Sequence, residues 1–113
     1  MDQQCVFCRI IAGDIPSTRV LETDQALALR DLNPQAPAHI LVLPREHVPG
    51  FGDLPAESPT WNALLAAVQQ VVQQEGLTDG FRLVINSGDR GGQTVPHLHI
   101  HVLGGRQMRW PPG

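Results

Sequence analysis

Residues 97–103, His-Leu-His-Ile-His-Val-Leu, alternate polar and apolar positions, a rhythm that predicts a β-strand. Its period of two sets His97, His99 and His101 on one face and Leu98, Ile100 and Val102 on the other, one face for a core and one for a site. Shorter runs at Arg19–Glu22, Ala26–Asp31, His39–Pro44 and Phe81–Asn86 predict four more strands, the first two joined as a hairpin around Thr23-Asp24-Gln25. Asn33-Pro34-Gln35-Ala36-Pro37 forces a loop, because each proline lacks a donor and disfavours helix before it. Leu64, Leu65, Val68, Val71 and Val72 recur at helical spacing. Ser58 fits the N-cap of that helix, Pro59 its first residue and Gly76 the position just past its end, and its glutamines face water. Cys5–Ala12 predicts a shorter helix with Phe7, Ile10 and Ile11 as its apolar stripe, stopped at Gly13-Asp14. Pro49–Pro59 and Ser87–Gln93 read as loops. The sum is an α+β fold with a five-stranded, mainly antiparallel sheet, one long helix and one short, in a single domain spanning 1–113. Residues 104–113 form an extended tail that its prolines keep out of helix.

Composition narrows the chemistry. An apolar fraction of 42% against a charged fraction of 17% belongs to a globular chain, and 113 residues suffice for one core. Asp2, Arg9, Asp14 and Arg19 interrupt the first stretch, so neither a signal peptide nor a membrane span is expected there, and a cytoplasmic location is the default. A net charge of -3 with both signs interspersed leaves no footprint for nucleic acid, though a single nucleotide remains an allowed ligand. All 8 cationic residues are Arg, which excludes a lysine Schiff base and a phosphate-binding loop ending in Gly-Lys. A covalent nucleophile must then be His, Cys, Ser or Thr.

Cys5 and Cys8 make a loop too tight for a useful structural disulfide, which leaves metal or redox chemistry. On a helix they lie one above the other, the first half of many zinc sites, and histidines would have to supply the second half. A redox motif should follow a strand in a βαβ pattern, which is missing here. Three imidazoles on one strand face can ligate a metal or divide nucleophile and proton-transfer roles. Gathering all three on one ion is strained, since alternate strand residues stand about 7 Å apart. Gly88, Gly91 and Gly92, just upstream, would let backbone N–H groups approach an anion.

His97-Leu98-His99-Ile100-His101-Val102-Leu103 resembles the alternating signature of the histidine triad (HIT) superfamily. The likeness continues through Phe7-x-x-Ile10-Ile11-Ala12-Gly13-Asp14-Ile15-Pro16, Asp31-Leu32-Asn33-Pro34, His39-Ile40-Leu41-Val42-Leu43-Pro44 and Gly91-Gly92-Gln93-Thr94-Val95. The stretch from Leu103-Gly104-Gly105 to Trp110-Pro111-Pro112-Gly113 is similar to the Hint branch, the purine nucleoside phosphoramidases. This resemblance implies a homodimer in which two five-stranded sheets join, and hydrolysis of the P–N bond of adenosine 5′-phosphoramidates. It implies His99 as nucleophile at the α-phosphate, forming a nucleotidyl-histidine that water cleaves. An imidazole suits that role, being largely neutral at pH 7 with an unperturbed pKa of about 6.5.

By the same likeness His101 and His39 contact phosphate and help move a proton to the leaving amine. Asn86, Gly92, Gln93 and Thr94 match the phosphate loop, and Asp31 the carboxylate that holds the ribose hydroxyls. Phe7, Ile10, Ile15, Leu29 and Leu32 match the walls of the base pocket, with Trp110 in the tail also on the nucleotide side. Thr94 stands where Ser is usual and Leu29 where an aromatic is common. Bacterial members of the superfamily hold zinc on a pair like Cys5 and Cys8, a histidine after the third strand and the first triad histidine. Here these are Cys5, Cys8, His47 and His97, a closed four-ligand set whose zinc would be structural, with no metal required for catalysis. Dinucleoside polyphosphate hydrolysis is the nearest alternative. A non-catalytic nucleotide-binding scaffold would keep the pocket without turnover.

Overall fold

The structure is a computed structural model, described over residues 4–113. Its strands are β1 (Arg19–Glu22), β2 (Ala26–Arg30), β3 (Ala38–Pro44), β4 (Phe81–Val84) and β5 (Ile100–Gly104), and its helices α1 (Val6–Ile11) and α2 (Pro59–Gln74). The strands lie in the order β1-β2-β3-β5-β4, every neighbouring pair antiparallel. β3 is central and wholly buried, and its alternation decides what lies on each face. Ile40 and Val42, with Ala26, Ala28, Ile100 and Val102, pack under Leu64, Val68, Val71 and Val72 of α2. Leu41 and Leu43, with Leu27 and Leu29, pack under Phe7, Cys8 and Ile10 of α1. Each fully buried Leu or Val there contributes about 1.5–3 kcal/mol relative to exposure.

The helix ends follow their sequence signals. Ser58 Oγ accepts from Thr60 N at 3.3 Å with Pro59 in the first turn. At the far end Gly76 takes a φ of +69°, Gly76 N donates to Gln73 O and Leu77 N to Val72 O, the left-handed closure that glycine makes without strain. On α1, Cys5 is the N-cap and its Sγ accepts from Cys8 N at 3.4 Å. A 3-10 turn, Phe51–Asp53, interrupts the loop after β3.

Three predicted strands are shorter than their sequence pattern, β2 by one residue, ending at Arg30 rather than Asp31. β5 begins at Ile100, so His97 and His99 precede it. Pro96 offers no N–H to a ladder, His97 N bonds Val95 O, and Leu98 N bonds Val48 O in the loop after β3. With no strand beyond Ile100 to pair with, β4 ends at Val84, opposite His101, rather than at Asn86. Among the described residues no helix is long and apolar enough to cross a membrane.

Candidate active site

α1 with its cap, the loop after β3 and the segment entering β5 build a cluster of four metal-ligating side chains, Cys5, Cys8, His47 and His97. Cys5 Sγ lies 3.4 Å from His97 Nδ1, and Cys8 Sγ lies 3.2 Å from His47 Nδ1 and 3.6 Å from His97 Nδ1. All four ligand atoms fall within 4.8 Å of one another, and the cysteines are not joined in a disulfide. Ligands held at about 2.0–2.3 Å on a tetrahedron stand about 3.3–3.8 Å apart, so the spacing suits a zinc-sized ion. His97 is fully buried, and its Nε2–H donates to Pro44 O at 2.9 Å, leaving the Nδ1 lone pair directed at the sulfurs. Burial holds this ring below the usual histidine range, against the Pro44 bond and aided by His47 and His99, which keeps it neutral as a ligand must be.

The other three histidines meet on the α1 side of the sheet. His99 Nδ1 lies 2.7 Å from the His97 carbonyl, which can only accept, so the ring carries its hydrogen on Nδ1 and presents a bare Nε2. Phe7 stacks edge-on against His99 at 5.0 Å between centroids and against His97 at 5.8 Å. His99 and His101 are 5.0 Å apart by centroid, and His39 and His101 5.1 Å. Gln35 N–H donates to His39 Nδ1 at 3.0 Å, so the His39 hydrogen sits on Nε2, which approaches His101 Nδ1 at 2.9 Å and Asp31 Oδ2 at 3.4 Å. The His101 hydrogen is then on Nε2, a buried atom with no protein partner. Burial, with the neighbouring His99 and His39 rings, pushes His101 down to about 4 against the pull of Asp31. Burial likewise lowers His39, opposed by Asp31.

Asp31, His39 and His101 also bring ligand atoms within 4.8 Å of one another. Their tautomers argue against a second metal centre. The Gln35 amide occupies the Nδ1 lone pair of His39, so its Nε2 keeps the hydrogen and has nothing to offer an ion. Nor do His97, His99 and His101 converge on one centre, since His97 turns its lone pair to the cysteines and His99 spends Nδ1 on a carbonyl. A bare nitrogen on one ring and an unpartnered N–H on a ring 5.0 Å away by centroid is an arrangement that can attack an electrophilic phosphorus while bonding its oxygen.

Phe7, Ile10 and Leu29 are buried in one apolar cluster and Ile15 packs against it, whereas Leu32 is 93% exposed and Trp110 81% exposed. Asn86 is half-buried beyond β4, and Gly92 and Thr94 are exposed in the loop ahead of the histidines. Gln93 ties that loop down, its Oε1 accepting from Gly88 N at 3.0 Å and its Nε2 donating to Pro49 O at 2.7 Å and Val95 O at 3.1 Å. Sequence reasoning missed the main-chain groups that steer the rings, the Gln35 amide and the Pro44 and His97 carbonyls. Backbone atoms carry no residue-type signal, and the prolines flanking Gln35 were the one hint.

A family model described as the HIT domain matches residues 12–108. The chain is 49% identical to the "14 kDa zinc-binding protein" of Zea mays, covering 99% of this chain and 90% of that one. It is 47% identical to the "Adenylylsulfatase HINT1" of Arabidopsis thaliana, over 99% of this chain and 78% of that protein. The fold is similar to a crystal structure of a HIT family hydrolase from Legionella pneumophila, with a TM-score of 0.93, 46% identity, and 96% and 99% of the two chains covered.

Proposed function

Because the chain belongs to the HIT domain family, and has the fold of its hydrolases, we propose that it is a purine nucleoside phosphoramidase acting on adenosine 5′-phosphoramidates. The observation that carries this reading is the 2.7 Å bond from His99 Nδ1 to the His97 carbonyl, which leaves Nε2 of His99 as the one uncommitted imidazole lone pair at the site. That nitrogen attacks the α-phosphorus, the P–N bond breaks as the leaving nitrogen takes a proton from water and departs as the neutral amine, and a second water later cleaves the nucleotidyl-His99 bond. Covalent catalysis of this kind splits one hard displacement into two. His101 Nε2–H bonds a phosphoryl oxygen, with Thr94, Asn86 and the Gly92-Gln93 main chain as further donors around the phosphate. Asp31 takes the ribose hydroxyls, Phe7, Ile10, Ile15 and Leu29 wall the base, and Leu32 and Trp110 close on it from outside.

Cys5, Cys8, His47 and His97 are assigned to a structural zinc ion, supported by their tetrahedral spacing and by the maize relative's name. The ion would cross-link α1 and the loop after β3 to the entry of β5, and no catalytic step is routed through it. Two thiolate ligands suit a reducing, cytoplasmic setting. A homodimer joined at β4, extending one sheet into the next, completes the site.

The test is mass spectrometry of protein quenched with an AMP amidate: an adenylyl adduct on His99 is expected, and binding with no adduct would favour a scaffold instead. His99→Ala should retain less than about 1% of turnover, a barrier increase of at least roughly 2.7 kcal/mol. A second leaving group is favoured by the Arabidopsis relative's name, so adenosine 5′-phosphosulfate belongs in the same assay. Faster cleavage of the phosphosulfate, or of diadenosine polyphosphates, would reassign the substrate while keeping the adenylylated His99.

A further inference from the structure

The likeness to histidine triad proteins casts His101 and His39 as a path for a proton to the leaving amine, and the hydrogen-bond geometry contradicts that role. His101 can lose its Nε2 hydrogen and stay neutral only by gaining one at Nδ1. The group at Nδ1 is His39 Nε2–H, at 2.9 Å. His39 in turn cannot replace that hydrogen at its own Nδ1, where the Gln35 amide already points its N–H from 3.0 Å. Either transfer leaves an imidazolate beside the Asp31 carboxylate, whose Oδ2 is 3.4 Å from His39. An unpaired buried anion costs far more than a hydrogen bond returns.

We propose that the main-chain N–H of Gln35 is a positioning group of the site: it fixes His39, and through His39 fixes His101, as neutral Nε2–H tautomers. His101 is then a permanent hydrogen-bond donor to the phosphoryl oxygen, and the leaving amine takes its proton from water rather than from His101. This rests on the phosphoramidase reading for the identity of the oxygen, and on geometry alone for the tautomers.

The loop that carries the amide is held on several sides. Asp31 Oδ1 accepts from Asn33 N at 2.8 Å, Gln35 Nε2 donates to Asn33 O at 3.0 Å, and Arg106 Nη2 donates to Gln35 O at 3.1 Å. Pro34 and Pro37 restrict the backbone around it. The buried, partnerless His101 Nε2 is what such a fixed donor looks like before its acceptor arrives.

Nitrogen NMR of the purified protein with 15N-labelled histidine reads the tautomers without any turnover, so it stands whether or not the substrate is right. Hydrogen on Nε2 of both His39 and His101 at pH 7 is expected, and hydrogen on His101 Nδ1 would overturn the proposal. Gln35→Pro, which deletes the N–H, should mix the tautomers and lower kcat about 10- to 100-fold with KM little changed, a range typical of losing a group that orients a site residue from behind. Gln35→Ala, which keeps the N–H, should keep the tautomers, and their survival in Gln35→Pro would refute the assignment. Should Gln35→Pro fail to fold, the spectrum of the unmodified protein decides. For the proton, His101→Ala should slow an anilide and an alkylamide of AMP by the same factor. Selective loss of the alkylamide, the poorer leaving group, would make His101 an acid after all.

Discussion

Main-chain groups orient three of the imidazoles: the His97 carbonyl holds His99, the Gln35 amide holds His39, and the Pro44 carbonyl holds His97. Backbone amides and carbonyls do not titrate near neutrality, so the orienting groups themselves keep their form as long as the rings stay neutral. His39, His97 and His101 are all held neutral by burial, His101 down to about 4 from an ordinary 6.5. The unfolded chain therefore binds more protons than the folded one between about pH 4 and 6.5. Stability is full above about 6.5 and falls as the pH is lowered through that window, with His101, the most strongly depressed of the three, contributing most. Urea unfolding at a series of pH values should show this decline, and His101→Asn should flatten it; parallel slopes for the two proteins would refute the account. At this scale residue types were legible in the sequence, since alternating histidines and a Cys-x-x-Cys pair announce chemistry by themselves. Their division of labour was not, because it is decided by which carbonyl or amide each ring meets.

α1 is a helix of 6 residues, too short to persist alone in water. Cys5 caps it, and Phe7, Cys8 and Ile10 packed on Leu27, Leu29, Leu41 and Leu43, with Phe7 against two histidine rings and Cys8 against His47, hold it to the sheet. Removing the proposed zinc with a strong chelator, or replacing Cys8 with Ser, should lower the melting temperature by on the order of 10 °C, the effect of losing a ligand present near 100 times its Kd. Turnover should fall in parallel, because the carbonyl that steers His99 belongs to His97. An unchanged melting temperature after metal loss, checked by metal analysis, would remove α1 from this role. Element types and order followed from the hydrophobic pattern, and both helix caps from Ser58, Pro59 and Gly76. The ends of β4 and β5 did not, since Leu98 bonds Val48 across the fold, a contact that local alternation does not encode.

β4 is an edge strand that leaves Phe81 and Leu83 exposed beside Leu65 of α2. Arg82 on the same strand bonds Arg109 O at 2.8 Å, so the tail that carries Trp110 runs past this edge. An apolar, unpaired edge invites a second strand. If the proposed dimer joins at this edge, the parent protein should sediment as a dimer and Leu83→Arg as a monomer with weakened nucleotide binding, whereas a monomeric parent protein would refute the assembly. His97 gives its ring to the cysteine cluster and its carbonyl to His99, which makes the two centres one mechanical unit. Neither can drift alone. A lineage that trades away the cysteine pair must still find some other anchor for that carbonyl, and an engineer who retunes the metal will read the change as a rate.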